Sequence, residues 1–220
     1  MKKAKTKKKA AVAPAPGNSK ELLLNAAREI FADQCYDRTS TRDIAKAAGV
    51  NISLISYHFQ GKEGLYRALL EEMTNAPLET VERVLKKPAT IEEFRTRLQI
   101  FVEEFVQHHM CMPQNSCIVM REMTNNDHNE VFKDLFKNKF APIFDKLMDF
   151  LSAAQKQKFI CNTLNIEICG VTLMGCITHL IRTEGLRKTV FGRPGLLEAD
   201  QIEKTVAQIT RQFLRGVEPK

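Results

Sequence analysis

The 220-residue sequence contains no unbroken apolar run of the roughly eighteen residues that mark a bilayer-spanning helix, so no membrane partner is expected. It has no CxxC pair. Its six cysteines, Cys35, Cys111, Cys117, Cys161, Cys169 and Cys176, stand in apolar or helical surroundings, which predicts reduced, buried thiols rather than a disulfide framework. GxSxG, Walker A, dinucleotide-fingerprint, paired-carboxylate and HExxH motifs are all missing, so neither an enzyme nor a cofactor is expected. Period-two alternation is never sustained, and strands are not predicted. The lysine-rich opening lacks the apolar stretch of a secretory signal, which predicts a soluble, cytoplasmic chain.

Acid is missing from the first twenty residues, which hold seven lysines, while the other 200 carry 26 basic and 26 acidic side chains. All of the net charge of +7 therefore sits in the arm. An arm of this kind raises non-specific affinity for a polyanion through counterion release, or serves only as a solubilising tail. Residues 1–17, with Ala, Pro and Gly following the lysines, read as a disordered basic tail and linker.

From Asn18 onward the chain reads as all-α. Asn18 with Glu21 forms a capping box for a first helix ending near Gln34, with Leu22, Leu23, Ala26, Ala27, Ile30 and Phe31 at helical spacing. Thr39 or Ser40 caps a second helix that Gly49 stops, and Asn51 caps a third over Ile52 to His58. A fourth begins at Lys62. Further helices are predicted at 78–87, 90–110, 114–124, 128–151 (interrupted at Pro142), 153–183 and 201–215, with a long connector from Glu184 to Ala199.

Two short helices joined by a tight turn at Gly49 predict a helix-turn-helix whose second helix enters the DNA major groove. Asn51, Ser53 and Ser56 are small or hydrogen-bonding side chains suited to base edges, and Leu54 suits a thymine methyl. Thr41, Tyr57, His58 and Lys62 are placed as phosphate anchors, helped by free amides at helix starts. Such amides matter because Asn18 to Tyr66 carries six basic and six acidic residues. On residue chemistry alone the same pattern also fits a small bundle with a solvated outer face.

The segments Ala26-Ala27-Arg28-Glu29-Ile30-Phe31, Thr39-Ser40-Thr41-Arg42-Asp43-Ile44-Ala45-Lys46-Ala47-Ala48-Gly49-Val50 and Tyr57-His58-Phe59-Gln60-Gly61-Lys62-Glu63-Gly64-Leu65 closely resemble the N-terminal domain of the TetR family of regulators. That resemblance implies phosphate contacts from Thr41, Tyr57, His58 and Lys62, and a groove-facing helix bearing Asn51, Ser53, Leu54 and Ser56. The family often has Tyr at the position of Ser56 and His or Tyr at that of Tyr57, which leaves open which side chain here meets a base. Arg121-Glu122-Met123 is similar to a subgroup with a CecR-like C-terminal domain.

The resemblance further implies a DNA-binding domain over 18–66, a helical regulatory domain over 67–217, and a homodimer formed by two helices from each subunit. Candidate dimer residues are Ile166, Cys169, Gly170, Leu173, Ile177 and Leu180 on one helix, and Ile202, Val206, Ile209 and Phe213 on the other, which could equally be monomer core. A pocket for a small apolar or amphipathic effector is expected among Phe101, Phe105, Met120, Arg121, Met123, Phe136 and Phe140, although a phenylalanine ladder is also ordinary helix packing. His108, His109, Cys111, Cys117 and His128 fall within 21 positions but match no closed zinc pattern, and no metal is expected. The expected activity is repression at a palindromic operator, relieved by the effector. The alternative is non-specific DNA binding or scaffolding, with a helical domain that recruits a partner.

Overall fold

The computed structural model describes residues 16–124 and 130–219. Residues 1–15 of the basic arm, and His128, lie outside them. Every regular element among the described residues is helical: α1 (Pro16–Asp33), α2 (Thr41–Ala48), α3 (Ser53–Phe59), α4 (Lys62–Val84), α5 (Ile91–Cys111), α6 (Pro113–Thr124), α7 (Glu130–Leu135), α8 (Ala141–Lys156), α9 (Ile166–Thr189) and α10 (Ile202–Val217). Two units are distinguished, the first ending at Leu69 and the second beginning at Leu70, three residues past the expected boundary and inside α4.

The first unit is a small bundle in which α1 packs on α2 and α3. Leu23, Ala27 and Phe31 of α1 meet Ile44 and Ala45 of α2, Ile55 and Phe59 of α3, and Leu65 and Tyr66 of α4 in a closed core. Phe31 meets Tyr66 edge-on at 4.8 Å between ring centroids, and Tyr36 joins them at 4.8 Å. Helix α1 starts at Pro16, two residues before the predicted capping box.

In the second unit, Phe94, Leu98, Phe101, Val102 and Val106 of α5 pack on Leu147, Phe150 and Leu151 of α8, Leu173 and Ile177 of α9, and Val206 of α10. Each such side chain contributes about 1.5–3 kcal/mol by leaving water. Arg95 of α5 grips Glu218, just past α10, through two bonds of 2.7 and 2.9 Å.

Four sequence expectations are corrected. The separate helix expected over 78–87 merges into α4, which carries Pro77 internally and forgoes one backbone bond there. The helix expected over 128–151 with an interruption at Pro142 is α7, a π-helical turn over Phe136–Phe140, and α8, so the irregular turn falls just before the proline rather than at it. Pro142 explains that turn: its ring conflicts with the carbonyl four residues back, and the wider turn, in which the Ala141 N–H reaches Phe136 O, opens room for it. The 153–183 helix is broken at 157–165, where Lys158 adopts a left-handed φ of 65° and the Gln155 amide donates to the carbonyls of Cys161 and Leu164. Asn165 restarts the chain as α9, its side chain accepting from the Ile168 N–H. Helix α9 then continues to Thr189, which shortens the expected connector.

The thiols are also differently placed. All six are free, but Cys111, Cys117 and Cys176 are exposed and only Cys169 is buried, because the others fall on outer helix faces or in turns. By length and composition α9 is apolar enough to cross a bilayer, a property that no uninterrupted apolar run revealed. In this fold it packs along α5, α8 and α10.

Candidate nucleic-acid interface and ligand cavity

Helix α2 opens on Ser40, whose Oγ accepts from the Asp43 N–H at 3.2 Å and donates to its carboxylate at 2.6 Å. It ends on Gly49 at φ 67°, whose N–H reaches the carbonyls of Ala45 and Lys46. This left-handed stop makes the tight turn, after which Asn51 opens α3. Its Oδ1 accepts from the Ser53 N–H at 2.9 Å and the Ser53 hydroxyl at 2.8 Å.

Ile55 and Phe59 anchor α3 in the core, so the opposite face is presented to solvent: Asn51, Ile52, Ser53, Ser56 and Tyr57 are exposed, and Leu54 is half-buried. Tyr57 is 77% exposed. Two expected phosphate anchors are engaged within the unit. The His58 Nε2 lies 2.8 Å from the Ser19 hydroxyl on α1, and the Lys62 ammonium sits 4.1 Å from the centre of the Tyr36 ring. Thr41 is half-buried at the start of α2.

Residue-type reasoning missed Ile52, which is 43% exposed at the opening of this face. Helical periodicity places it beside Ile55, but it precedes the first helical residue, and the turn swings it outward. Because both Asn51 contacts go to Ser53, Asn51→Ala is expected to loosen the start of α3 and lower stability by about 1 kcal/mol, measured by urea unfolding.

The second unit holds a largely apolar, partly open cavity of about 570 Å³ between α4, α5, α6, α8 and α9. Of the expected pocket residues, Phe105, Met120, Met123, Phe136 and Phe140 line it. Phe101 does not: it is 1% exposed and packs in the core, 5.8 Å from the Phe105 ring. Arg121 is likewise not among the lining residues, and Glu122 beside it is buried, because their face of α6 turns away from the cavity. The wall also includes His108, His109, Asn115 and Ser116, which apolar periodicity could not reveal.

Burial pushes the His109 imidazole down from 6.5 to about 4. The folded chain therefore holds this ring neutral over a range in which the unfolded chain protonates it. The resulting stability is complete above pH 6.5 and is lost as pH falls toward 4, by up to about 3 kcal/mol. His109→Gln is expected to flatten that part of the pH dependence of the urea midpoint, followed by circular dichroism. Among the described residues no three His, Cys, Asp or Glu side chains are gathered as a metal site.

The expected dimer residues face the chain's own core. Cys169, Gly170, Leu173, Ile177 and Val206 are buried, while Ile166, Leu180, Ile202, Ile209 and Phe213 are half-buried and packed against that core. The buried ones are closed to a second copy, whereas the half-buried ones keep exposed surface. The outer face of α9 carries instead Ile168 and Val171, 65% and 59% exposed, with Thr172, Gly175, Cys176 and His179.

Comparison with known proteins places this geometry. Residues 23–69 match the model for bacterial regulatory proteins of the tetR family. The probable HTH-type transcriptional regulator YttP of Bacillus subtilis (strain 168) is 31% identical over 107 residues, 49% of this chain and 51% of that protein. The HTH-type transcriptional regulator UidR of Escherichia coli (strain K12) is 26% identical over 153 residues, 69% of this chain and 74% of that protein. The chain spans about half the length of the first curated relatives it matches. Among solved structures, the ketosteroid transcriptional regulator KstR2 of Mycobacterium tuberculosis aligns with a TM-score of 0.72 at 18% identity, covering 95% of this chain and 100% of that one. FadR of Bacillus subtilis in complex with stearoyl-CoA aligns at 0.68 and 17% identity, covering 90% and 99%. Residues 23–69, the helix-turn-helix domain, are thus of the type found in bacterial regulatory proteins of the tetR family.

Proposed function

We propose that this chain is a cytoplasmic, ligand-responsive transcriptional repressor that binds a palindromic operator as a homodimer and is released by a small apolar or amphipathic effector. The observation that carries the reading is one chain holding two dissimilar devices: a helix-turn-helix with a solvent-facing polar face, and a largely apolar, partly open cavity of about 570 Å³. A cavity of that size falls within the range of small-molecule sites. The stearoyl-CoA complex of FadR shows such a molecule bound to a protein of this fold.

One short helix touches too few bases for high specificity, so two copies must read half-sites about 34–36 Å apart. A ligand that favours a differently spaced dimer lowers operator affinity by linkage, and a coupling of about 1–3 kcal/mol changes it 5- to 150-fold. Helix α4 contributes Lys62 to the first unit and Met73 and Pro77 to the cavity wall of the second.

Selection from a random duplex pool at roughly physiological salt tests the reading. An enriched palindrome is expected, and binding without enrichment would overturn operator specificity in favour of non-specific association. With the selected duplex, Tyr57→Ala is expected to weaken binding to matched and scrambled sequences alike. Ser56→Ala should instead narrow the gap between them, each mismatch being worth about 1–3 kcal/mol.

A further inference from the structure

The α5–α6 junction gives the cavity a polar corner whose hydrogen-bonding capacity the protein leaves unused. Helix α5 ends at Cys111 and α6 begins at Pro113, which brings His108 and His109 from one helix end and Asn115 and Ser116 from the next helix start to one cavity wall. The Asn115 Oδ1 and the Ser116 Oγ are both buried without a hydrogen-bond partner among the described residues. Leaving such a group unpaired costs about 1–3 kcal/mol each, and an arrangement that sustains two of them in one cavity calls for a partner from outside.

His109 defines the sense of that partner. Its Nδ1 lies 2.7 Å from the Phe105 carbonyl, and since a carbonyl can only accept, Nδ1 carries the proton. Burial keeps the ring neutral at ordinary pH, so Nε2 is an acceptor with no proton to offer. The corner thus presents a carbonyl oxygen, an imidazole nitrogen and a hydroxyl, of which only the hydroxyl can donate.

Other polar groups on the wall do not alter this. The Thr178 hydroxyl already donates to the Met174 carbonyl at 2.7 Å. Arg182 and Asp145 are exposed side chains. His108 is pushed by burial toward its neutral form, so no buried cation is available to a carboxylate.

We infer that the cavity selects an uncharged, mainly apolar ligand bearing a hydrogen-bond donor, an alcohol or an amide, which Asn115, Ser116 and His109 receive, and that it discriminates against the matching free carboxylic acid. The inference rests on reading the cavity as the effector site and names the chemistry of what that site accepts. The ligand's donor satisfies the Asn115 carbonyl oxygen while its oxygen accepts from the Ser116 hydroxyl, whereas a carboxylate brings a charge and no donor to the unpaired Asn115 oxygen.

The test is calorimetric titration of the full chain at pH 7 with 1-decanol, methyl decanoate and decanoate, which share an apolar body and differ in donor and charge. The alcohol is expected to bind about tenfold tighter than the ester, and the carboxylate more weakly than either. Asn115→Leu and Ser116→Ala, each checked for an unchanged melting transition, should erase the preference for the alcohol while leaving ester binding within about twofold. Tighter binding of decanoate, or an equal loss of alcohol and ester in the variants, would overturn the inference while leaving the cavity as a ligand site. If none of the three binds the wild-type chain, the effector-site reading falls with it. The wild-type ranking stands as a test even if a variant does not fold.

Discussion

Gly64→Ala is expected to unfold the helix-turn-helix unit while leaving the second unit helical. A methyl group at this position would stand 1.8 Å from the Phe59 carbonyl oxygen and 3.0 Å from its carbon. Both are backbone atoms at the end of α3, fixed by the buried Phe59 ring and by a turn through Gln60 at φ 62° and Gly61 at φ 126°. Relief would require moving α3 against α4, at a cost of about 3 kcal/mol or more, a large part of the stability of a bundle this size. Gly170→Ala is the instructive contrast. There the added methyl meets the Met148 Cε at 1.9 Å, the end of a flexible side chain that can swing away, so only a small loss is expected. The measurement is unusually clean because the chain has no tryptophan and its three tyrosines, Tyr36, Tyr57 and Tyr66, all lie in the first unit. Urea unfolding followed by tyrosine emission reports that unit, and far-ultraviolet circular dichroism follows the whole chain. A Gly64→Ala midpoint unchanged in tyrosine emission would show that α3 and α4 can part without cost.

The reading unit was legible from sequence because each of its boundaries is enforced locally. Ser40 caps α2, Gly49 takes the left-handed stop and Asn51 opens α3, and each effect acts within two or three residues of its cause. The second unit is governed by longer-range choices. Pro77 is tolerated inside α4, and Pro142 is met by a π-helical turn rather than by a break. The interruption at 157–165 turns on Gln155 and Asn165 side chains bonding to backbone groups, which apolar spacing does not register. The cavity was partly legible, since Phe105, Met120, Met123, Phe136 and Phe140 do line it, whereas Phe101 follows the same period into the core. His109, Asn115 and Ser116 meet only because two helices end and begin at one place, a relation visible in three dimensions and not in a one-dimensional pattern.

With the proposed homodimer joined through the outer face of α9, Ile168→Glu is expected to raise its dissociation constant by more than about a hundredfold while leaving the fold of each chain intact. Helix α9 is apolar on opposite sides, so its period cannot tell which side faces inward; the structure assigns Leu173 and Ile177 to the core and leaves Ile168 and Val171 exposed. Gly175 lies on the same outer face and would meet nothing within 4 Å if given a side-chain carbon, so its smallness leaves a shallow approach for a neighbouring helix. Under twofold symmetry each substitution enters the interface twice, and a carboxylate buried there without a partner costs about 3–5 kcal/mol. Operator binding that requires two reading helices should fall in step with dimerisation, so the loss of DNA affinity should be recovered at high protein concentration. Leu173→Glu serves as the comparison: it places the same charge in the core and is expected to unfold the second unit rather than to dissociate a dimer. Sedimentation velocity and circular dichroism on the two variants separate these outcomes. A dimer that persists in Ile168→Glu, with the operator still bound, would move the interface off this face of α9.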